Sequence, residues 1–217
     1  MKYIVKSAEP AALADWKLTD KMFRRGNPNY DRIKGPLRKI ILDNLKADQG
    51  NICCYCERTL LPDDHHLEHI KPQGIGPYST FQCDYDNMLC CCQQDRESHD
   101  PKHCGMFKGS WYIPALFISP LDPTCESKFS YTHNGQILPA PTTDPAALTT
   151  IDKCKLDIDR LNKMREEVIS TFIDDALTDD EVTDYVKKYL VDKNENNGSF
   201  NPFYTTVKFL FGHLLTV

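Results

Sequence analysis

The stretch HHLEHIKP, residues 65–72, places three histidines and a glutamate within five positions. Imidazole nitrogens and carboxylate oxygens bind divalent cations, and a neutral imidazole can also accept a proton near neutral pH. A solvated loop seldom needs so many histidines. The stretch therefore predicts a catalytic hairpin that carries a metal ion. The alternative is a polar turn that is rich in histidine by chance.

The chain has ten cysteines, and eight of them lie between residues 53 and 104. A CxxC pair in a tight turn can direct two thiolates at one ion, and a second pair would complete a tetrahedral structural zinc site. The predicted ligands are Cys53, Cys56, Cys92 and Cys104. Either Cys90 or Cys91 could replace Cys92 as a ligand. Buried free thiols are the alternative to zinc.

Short hairpins and loops must position these side chains, because residues 51–110 are rich in Cys, His, Gly and Pro and lack a regular apolar pattern. Before this block, residues 36–47 predict an amphipathic helix with Pro36 in its first turn. The sequence thus predicts an α+β protein with three regions. They are a basic helical segment (1–50), a zinc-stapled core (51–110) and a mostly helical region with a β-hairpin (111–217).

The third region combines strand and helix signals. Residues 114–139 predict strands with a hairpin turn at Asn134-Gly135, and residues 140–150 predict a connection. Three helices are predicted in this region. The first spans about 157–176, the second begins at a capping box formed by Thr178 and Glu181, and the third lies near the end of the chain. The terminal helix carries an apolar stripe, for which we predict a partner-docking role, with internal burial as the alternative. The stripe consists of Val207, Leu210, Phe211 and Leu214.

The order of the chemical residues resembles the motif of the HNH endonuclease family. That motif comprises a CxxC knuckle, an acidic residue and His in a DHIxP-like strand, an Asn that begins an NLxxLC helix, and a second cysteine pair followed by Lys. The corresponding stretches here are EHIKP at 68–72, NMLCCC at 87–92 and CGMFKG at 104–109. The resemblance implies a ββα-metal core held by zinc.

The resemblance also implies a role for each matching residue. His69 would be the general base, and Asn87 would orient the His69 ring through its amide oxygen. Glu68 would bind the catalytic cation, Mg²⁺ or another divalent ion. Lys71 and Lys108 would contact the nucleic acid.

The match departs from the family pattern after the last cysteine, where Gly105 has no side chain. His103 is the preferred substitute ligand of the catalytic cation, and His99 or water is the alternative. The eleven residues between Cys92 and Cys104 exceed the usual two. His65 and His66 are assigned accessory or solvent-exposed roles.

A closer likeness covers most of the chain, including LKADQGNICCYCE, HLEHIKP and TIDKCKLDIDRLNKMREEV. These stretches resemble the HNH subunit of Septu-type anti-phage systems, which also occurs with some retrons. The resemblance implies an ABC/SMC-like ATPase partner, a retron reverse transcriptase with its DNA–RNA product in some cases, and a DNA or RNA (tRNA) target. The sequence has no GxxxxGK[ST] motif, so ATP hydrolysis would come from the partner.

Charge is unevenly distributed along the chain. Residues 17–46 hold nine Lys or Arg and three Asp, a local charge of +6 in a chain whose net charge is −5. Such a segment favours contact with phosphates, although solvated helix faces would show the same pattern. The predicted nucleic-acid contacts in this segment are Arg24, Arg25, Arg38 and Lys39.

No apolar run reaches the roughly 20 residues that span a bilayer, and the N-terminus lacks the features of a signal peptide. We therefore expect a cytoplasmic protein without a membrane segment, in which cysteines serve as thiols or metal ligands. The main functional alternative to a nuclease is a zinc-bound adaptor that binds nucleic acid or a partner without cutting. An HNH enzyme that works alone is disfavoured by the low basic content.

Overall fold

Two separate antiparallel hairpins and seven α-helices make up the α+β fold in the part of the chain that the structure describes. The computed structural model describes residues 1–24, 27–74, 76–94, 100–174 and 176–215. The strands are β1 (His65–His69), β2 (Met88–Cys92), β3 (Phe129–Tyr131) and β4 (Ile137–Pro139). The helices are α1 (Ala11–Arg24), α2 (Gly35–Asp48), α3 (Cys104–Lys108), α4 (Pro145–Cys154), α5 (Asp159–Ser170), α6 (Asp179–Tyr189) and α7 (Tyr204–Phe211).

The β1–β2 hairpin is the centre of the molecule. Its register pairs His65 with Cys92 and His69 with Met88, and the helices α2 and α3 both contact β2. Every residue of β2 is buried.

The family resemblance implied a helix after Asn87, and this prediction is wrong. The run MLCCC is short and continuously apolar, as in a strand that is covered on both faces.

Helix α2 confirms the amphipathic helix predicted for residues 36–47. It begins one residue earlier and ends one residue later, with Pro36 in its first turn. Ile41 and Leu45 on its apolar face are fully buried in the central core. The same core takes buried side chains from all three predicted regions, so the helix is fixed against the hairpin.

The third region differs from the sequence prediction in two places. The predicted strand at residues 114–123 is absent from the described structure, which has a 3₁₀ turn at Pro114–Leu116 and irregular backbone after it. The predicted connection at 140–150 contains the start of α4. The Asp144 carboxylate accepts hydrogen bonds from the backbone of Ala146 and Ala147, and Pro145 occupies the first turn. These are ordinary signals of a helix start.

Other elements of this region agree with the prediction. The β3–β4 hairpin encloses Asn134-Gly135, and the capping box of Thr178 and Glu181 begins α6. Helix α5 is shorter than predicted and ends at Ser170. The structure has no helix that is long and apolar enough to cross a membrane among the described residues.

The apolar stripe of α7 faces the protein interior. Val207 and Phe211 are buried, and they pack in a small cluster with Ile169, Phe172 and Val186. At the start of the helix, the carboxylate of Glu57 accepts a hydrogen bond from the Thr205 amide at 2.8 Å and lies 2.7 Å from the amino group of Met1. The predicted partner-docking role of this stripe is therefore wrong, and internal burial is the outcome.

Candidate active site and metal centre

Strand β1 carries a buried carboxylate at Glu68. Its Oε1 atom accepts hydrogen bonds from the Tyr55 hydroxyl at 3.0 Å and from the Lys108 ammonium at 2.8 Å. Burial by itself raises the pKa of a carboxyl group, but His66 and Lys108 outweigh that effect and hold the pKa of Glu68 below its usual value. Glu68 is therefore ionised near neutral pH and has the charge that a cation ligand needs.

The structure places Lys108 inside the protein, with a side chain that is 0% exposed. Its ammonium also donates to the backbone carbonyl of His69 at 2.9 Å. The sequence prediction that Lys108 contacts nucleic acid is not supported by this position. The lysine instead ties α3 to the strand that carries Glu68 and fixes which carboxylate oxygen points away from it.

His69 is buried at the end of β1, and its Nε2 atom lies 2.9 Å from the carbonyl oxygen of Gln82. A carbonyl only accepts hydrogen bonds, so Nε2 carries the proton and Nδ1 is the basic atom of the neutral ring. Burial lowers the pKa of His69, which keeps the imidazole neutral near pH 7. The ring of Tyr30 packs edge-on against it, with centroids 4.6 Å apart. His69 therefore has the protonation state of a general base.

The Asn87 side chain stabilises the loop between β1 and β2 by hydrogen bonds to its backbone. Its amide oxygen accepts from the Lys71 backbone at 2.8 Å, and its amide nitrogen donates to the carbonyls of Lys71 at 3.0 Å and Phe81 at 3.1 Å. The sequence predicted that this oxygen would hold the His69 ring. In the structure the Gln82 carbonyl orients the ring, and Asn87 holds the backbone that follows His69.

His66 lies beside Glu68, which the sequence analysis did not predict. Its Nδ1 atom is 2.6 Å from the carbonyl oxygen of Gln93, and its Nε2 atom is 3.6 Å from Oε2 of Glu68. Burial lowers a histidine pKa, but Glu68 outweighs burial and raises the pKa of His66. Strand alternation could have identified this pair, because residues 66 and 68 of a strand share one face.

His103, the predicted substitute ligand for the catalytic cation, lies among thiols. Its Nδ1 atom is 3.0 Å from Sγ of Cys104 and 3.9 Å from Sγ of Cys92. Its side chain contacts the cysteine cluster, whereas His66 is the histidine beside Glu68. The geometry thus assigns His103 to the cysteine cluster. The other candidate, His99, lies outside the described residues.

A cavity of about 320 Å³ opens over this part of the hairpin. The last four residues of β1, the following loop, and α3 with the two residues after it form its walls. The lining residues include His66, Glu68, His69, Pro72, Gly74, Gly105 and Gly109. The cavity gives a ligand access to a buried carboxylate and to two imidazoles.

Six buried side chains, among them Cys104 at the start of α3, form a candidate metal centre. They fall into two overlapping sets of four donors, and within each set the donor atoms lie within 4.8 Å of one another. Cys92 and Cys104 belong to both sets. The remaining members are Cys53 and Cys91 in one set, and Cys56 and His103 in the other. The four predicted zinc ligands are thus all in the cluster, joined by Cys91 and His103.

The spacing of the donors fits a tetrahedral zinc ion. Cys53 and Cys91 have their sulfur atoms 3.7 Å apart, and so do Cys56 and Cys92. Zinc–sulfur bonds of about 2.3 Å at tetrahedral angles place two thiolates about 3.8 Å apart. The Cys92 amide donates to Sγ of Cys53 and the Gly105 amide donates to Sγ of Cys91, and such bonds favour thiolates. The cluster can therefore hold a metal.

The predicted nucleic-acid contacts occupy different positions. Arg38 donates to the Tyr30 hydroxyl, which places its guanidinium next to the ring that packs on His69. The Lys71 ammonium lies 4.2 Å from the centroid of the Phe81 ring, and Lys39 is exposed on α2. Arg25 and the side chain of Arg24 lie outside the described structure.

Comparison with known proteins identifies the family. No family model matches the chain. The chain is 32% identical over 142 residues to a protein of Vibrio cholerae serotype O1 biovar El Tor named "Retron Vc95 putative HNH endonuclease". The match covers 63% of this chain and 67% of the Vibrio protein. The chain therefore belongs to the HNH endonuclease family.

Proposed function

We propose that this protein is a metal-dependent endonuclease that hydrolyses phosphodiester bonds of DNA or RNA. The observation that carries the proposal is the Glu68–His69 pair at the wall of an open cavity. The pair combines an ionised carboxylate with a neutral imidazole whose proton is held on Nε2. Hydrolysis of a phosphodiester needs a base for the attacking water and a cation at the phosphate, and these two residues supply the base and a ligand.

In the proposed reaction, Nδ1 of His69 takes a proton from the attacking water. Glu68 would hold a divalent cation, which would supply charge stabilisation at the scissile phosphate. Lys108 donates a hydrogen bond to Oε1 of Glu68, so that Oε2, which faces His66, is the oxygen available to a cation. Asn87 keeps the loop after His69 in place through its bonds to Lys71.

The cysteine cluster supports a structural zinc ion in this proposal. Residues 51–110, the ββα-metal nuclease core, contribute short strands and a five-residue α3 to the central core, and a metal would add a direct link between them. Cys92 ends β2 and Cys104 begins α3, so one ion would join both elements. The flanking residues 1–50 and 111–217 would then serve substrate and partner contacts.

Nucleic acid would approach the cavity past the basic segment. Arg38 lies next to Tyr30 and His69, and Lys71 follows the active strand, so both cations lie near the proposed reaction centre. Lys39, Arg24 and Arg25 would extend this contact along the phosphate backbone. Such contacts raise affinity for any sequence and make binding sensitive to salt.

The biological setting we propose is an anti-phage defence complex. The Vibrio relative is named for a retron, and the Septu resemblance adds an ABC/SMC-like ATPase as the partner. The sequence has no P-loop motif, which agrees with ATP hydrolysis by another subunit. Co-purification with the product of the neighbouring gene tests this part separately from the chemistry.

Cleavage of DNA and tRNA by the purified protein with a divalent cation tests the function. His69→Ala should abolish cleavage while the metal content and the circular dichroism spectrum stay the same. His133→Ala is the matched control, because His133 is an exposed histidine on the β3–β4 hairpin. Nucleic-acid binding without metal-dependent cleavage by the wild-type protein would contradict the proposal and support the zinc-bound adaptor.

A further inference from the structure

Gly105 lies against two potential metal ligands, and neither leaves room for a side chain at this position. A Cβ atom at this position would lie 2.5 Å from Oε2 of Glu68 and 2.7 Å from Nε2 of His66. These distances are shorter than any normal contact, so a side chain at position 105 would overlap both groups. The φ angle of Gly105 is outside the left-handed region, and the glycine is therefore needed for space rather than for backbone conformation.

We propose that His66 and Glu68 together bind the catalytic divalent cation, with Nε2 and Oε2 as the ligand atoms. The inference deepens the proposed nuclease function and rests on it. Strand β1 would supply both ligands, and the glycine at 105 has no Cβ that would overlap the two ligand atoms.

The orientation of His66 suits a metal ligand. The Gln93 carbonyl accepts a hydrogen bond from Nδ1, so the lone pair of the neutral ring lies on Nε2, which faces Glu68. Metal-binding histidines commonly have this arrangement, in which a carbonyl or carboxylate fixes the other ring nitrogen.

The separation of the two ligand atoms is also suitable. Two ligands at about 2.1 Å from one ion lie about 3.0–3.5 Å apart in octahedral or tetrahedral geometry. The 3.6 Å between Nε2 and Oε2 needs only a small adjustment. Oε1 of Glu68 is already engaged by Tyr55 and Lys108, so Oε2 is the oxygen available to the ion. Both ligand-bearing residues line the cavity, which leaves room for water and a phosphate.

The ligand pair predicts which cations the site prefers. Mg²⁺ favours oxygen ligands, whereas an imidazole ligand favours transition-metal ions such as Mn²⁺, Co²⁺ or Ni²⁺. We therefore expect the site to bind Mn²⁺ more tightly than Mg²⁺. This preference comes from His66, and it should decrease when His66 is removed.

Binding of Mn²⁺ to the full-length protein, measured by electron paramagnetic resonance of free Mn²⁺ and by calorimetry, tests the inference. His66→Ala should weaken Mn²⁺ binding at least about tenfold, a loss typical of metal-site substitutions. Gly105→Ala should also weaken binding. The added Cβ would overlap Oε2 of Glu68 and Nε2 of His66, although both ligands are still present. His65→Ala is the matched control and should bind as the wild type does, because the ring of His65 contacts the Leu61 carbonyl.

Unchanged Mn²⁺ affinity in His66→Ala, equal losses in His66→Ala and His65→Ala, or a wild-type protein that binds no Mn²⁺ would each overturn the inference. The structural metal content of each variant reports on folding, so a misfolded variant is recognised. Failure of the proposed function gives a different pattern. In that case Mn²⁺ binds through His66, but neither DNA nor RNA is cut.

Discussion

The ammonium of Lys108 lies 2.8 Å from Oε1 of Glu68, with both side chains buried beneath the hairpin. The contact joins α3 to β1, and together with His66 it holds the pKa of the buried Glu68 carboxyl group below its usual value. The contact also gives the two carboxylate oxygens different surroundings. Oε1 accepts hydrogen bonds from Lys108 and Tyr55, whereas Oε2 faces His66. The stability of the fold and the chemistry of the site therefore depend on the same ion pair.

Replacing Lys108 with Met should destabilise the protein strongly. The change leaves the buried Glu68 without its charge partner, which typically costs about 3–5 kcal/mol in the free energy of unfolding. Urea denaturation followed by circular dichroism measures this loss. Lys187→Met is the control, and an exposed substitution of this kind should change stability by less than about 0.5 kcal/mol. Equal stability of the two variants would contradict the described ion pair.

The pH dependence of cleavage should reflect His69. The base is active when its imidazole is neutral, so the rate falls as pH decreases through the pKa of His69. Because burial lowers this pKa below the ordinary 6.5, the half-maximal rate should occur below pH 6.5. Measurement of kcat/KM from pH 4.5 to 9 on one substrate determines the midpoint. A midpoint clearly above 6.5 would contradict the neutral, buried imidazole.

The zinc content should depend on the two cysteines that both donor sets share. Cys92→Ser and Cys104→Ser should each reduce tightly held zinc, because either change removes a donor from both sets. Cys90→Ser is the matched control, since Cys90 is a buried neighbour outside both sets whose thiol pKa is raised by burial. Elemental analysis should find about one zinc ion per wild-type chain.

A wild-type protein that folds with less than about half an equivalent of zinc would contradict the metal centre. Retention of zinc by Cys92→Ser and Cys104→Ser would do the same. Loss of zinc from Cys53→Ser but not from Cys56→Ser, or the reverse, would identify which of the two donor sets holds the ion.

Binding of nucleic acid should depend on Arg38, which bonds to the Tyr30 hydroxyl beside His69, and on Lys71, which follows β1. Arg38→Gln and Lys71→Gln should each weaken binding and reduce the slope of log affinity against log salt by about one. Fluorescence anisotropy at several salt concentrations measures both quantities. Lys187→Gln serves as the control, because Lys187 is an exposed lysine on α6. An unchanged affinity and salt slope in the first two variants would show that these cations do not contact phosphate.

The sequence predicts the elements whose signals are local. The apolar stripe of α2, the Asn134-Gly135 turn and the capping box at Thr178 each depend on neighbouring residues, and the structure has all three elements. The clustering of Cys53, Cys56, Cys92 and Cys104 could also be anticipated from spacing and the family motif. Helix α4 was missed although its Asp144 cap and Pro145 are local signals.

The details of the site depend on contacts between residues far apart in the sequence. The carbonyls that orient His69 and His66 belong to Gln82 and Gln93, and no residue type identifies a carbonyl that will be used in this way. The burial of Lys108 depends on how α3 packs under the hairpin. The prediction of His103 as a substitute ligand followed from its proximity to Gly105 in the sequence. Strand alternation, which places His66 beside Glu68, was the better guide.

Chemical rescue of a His69→Gly variant tests the role of the His69 imidazole most directly. The variant should be inactive in metal-dependent cleavage, and added imidazole should restore part of the rate by occupying the vacated space. The rescued rate should rise with the neutral fraction of the added base, because the reaction needs a proton acceptor. A His69→Gly variant that cleaves at the wild-type rate without imidazole would contradict the account.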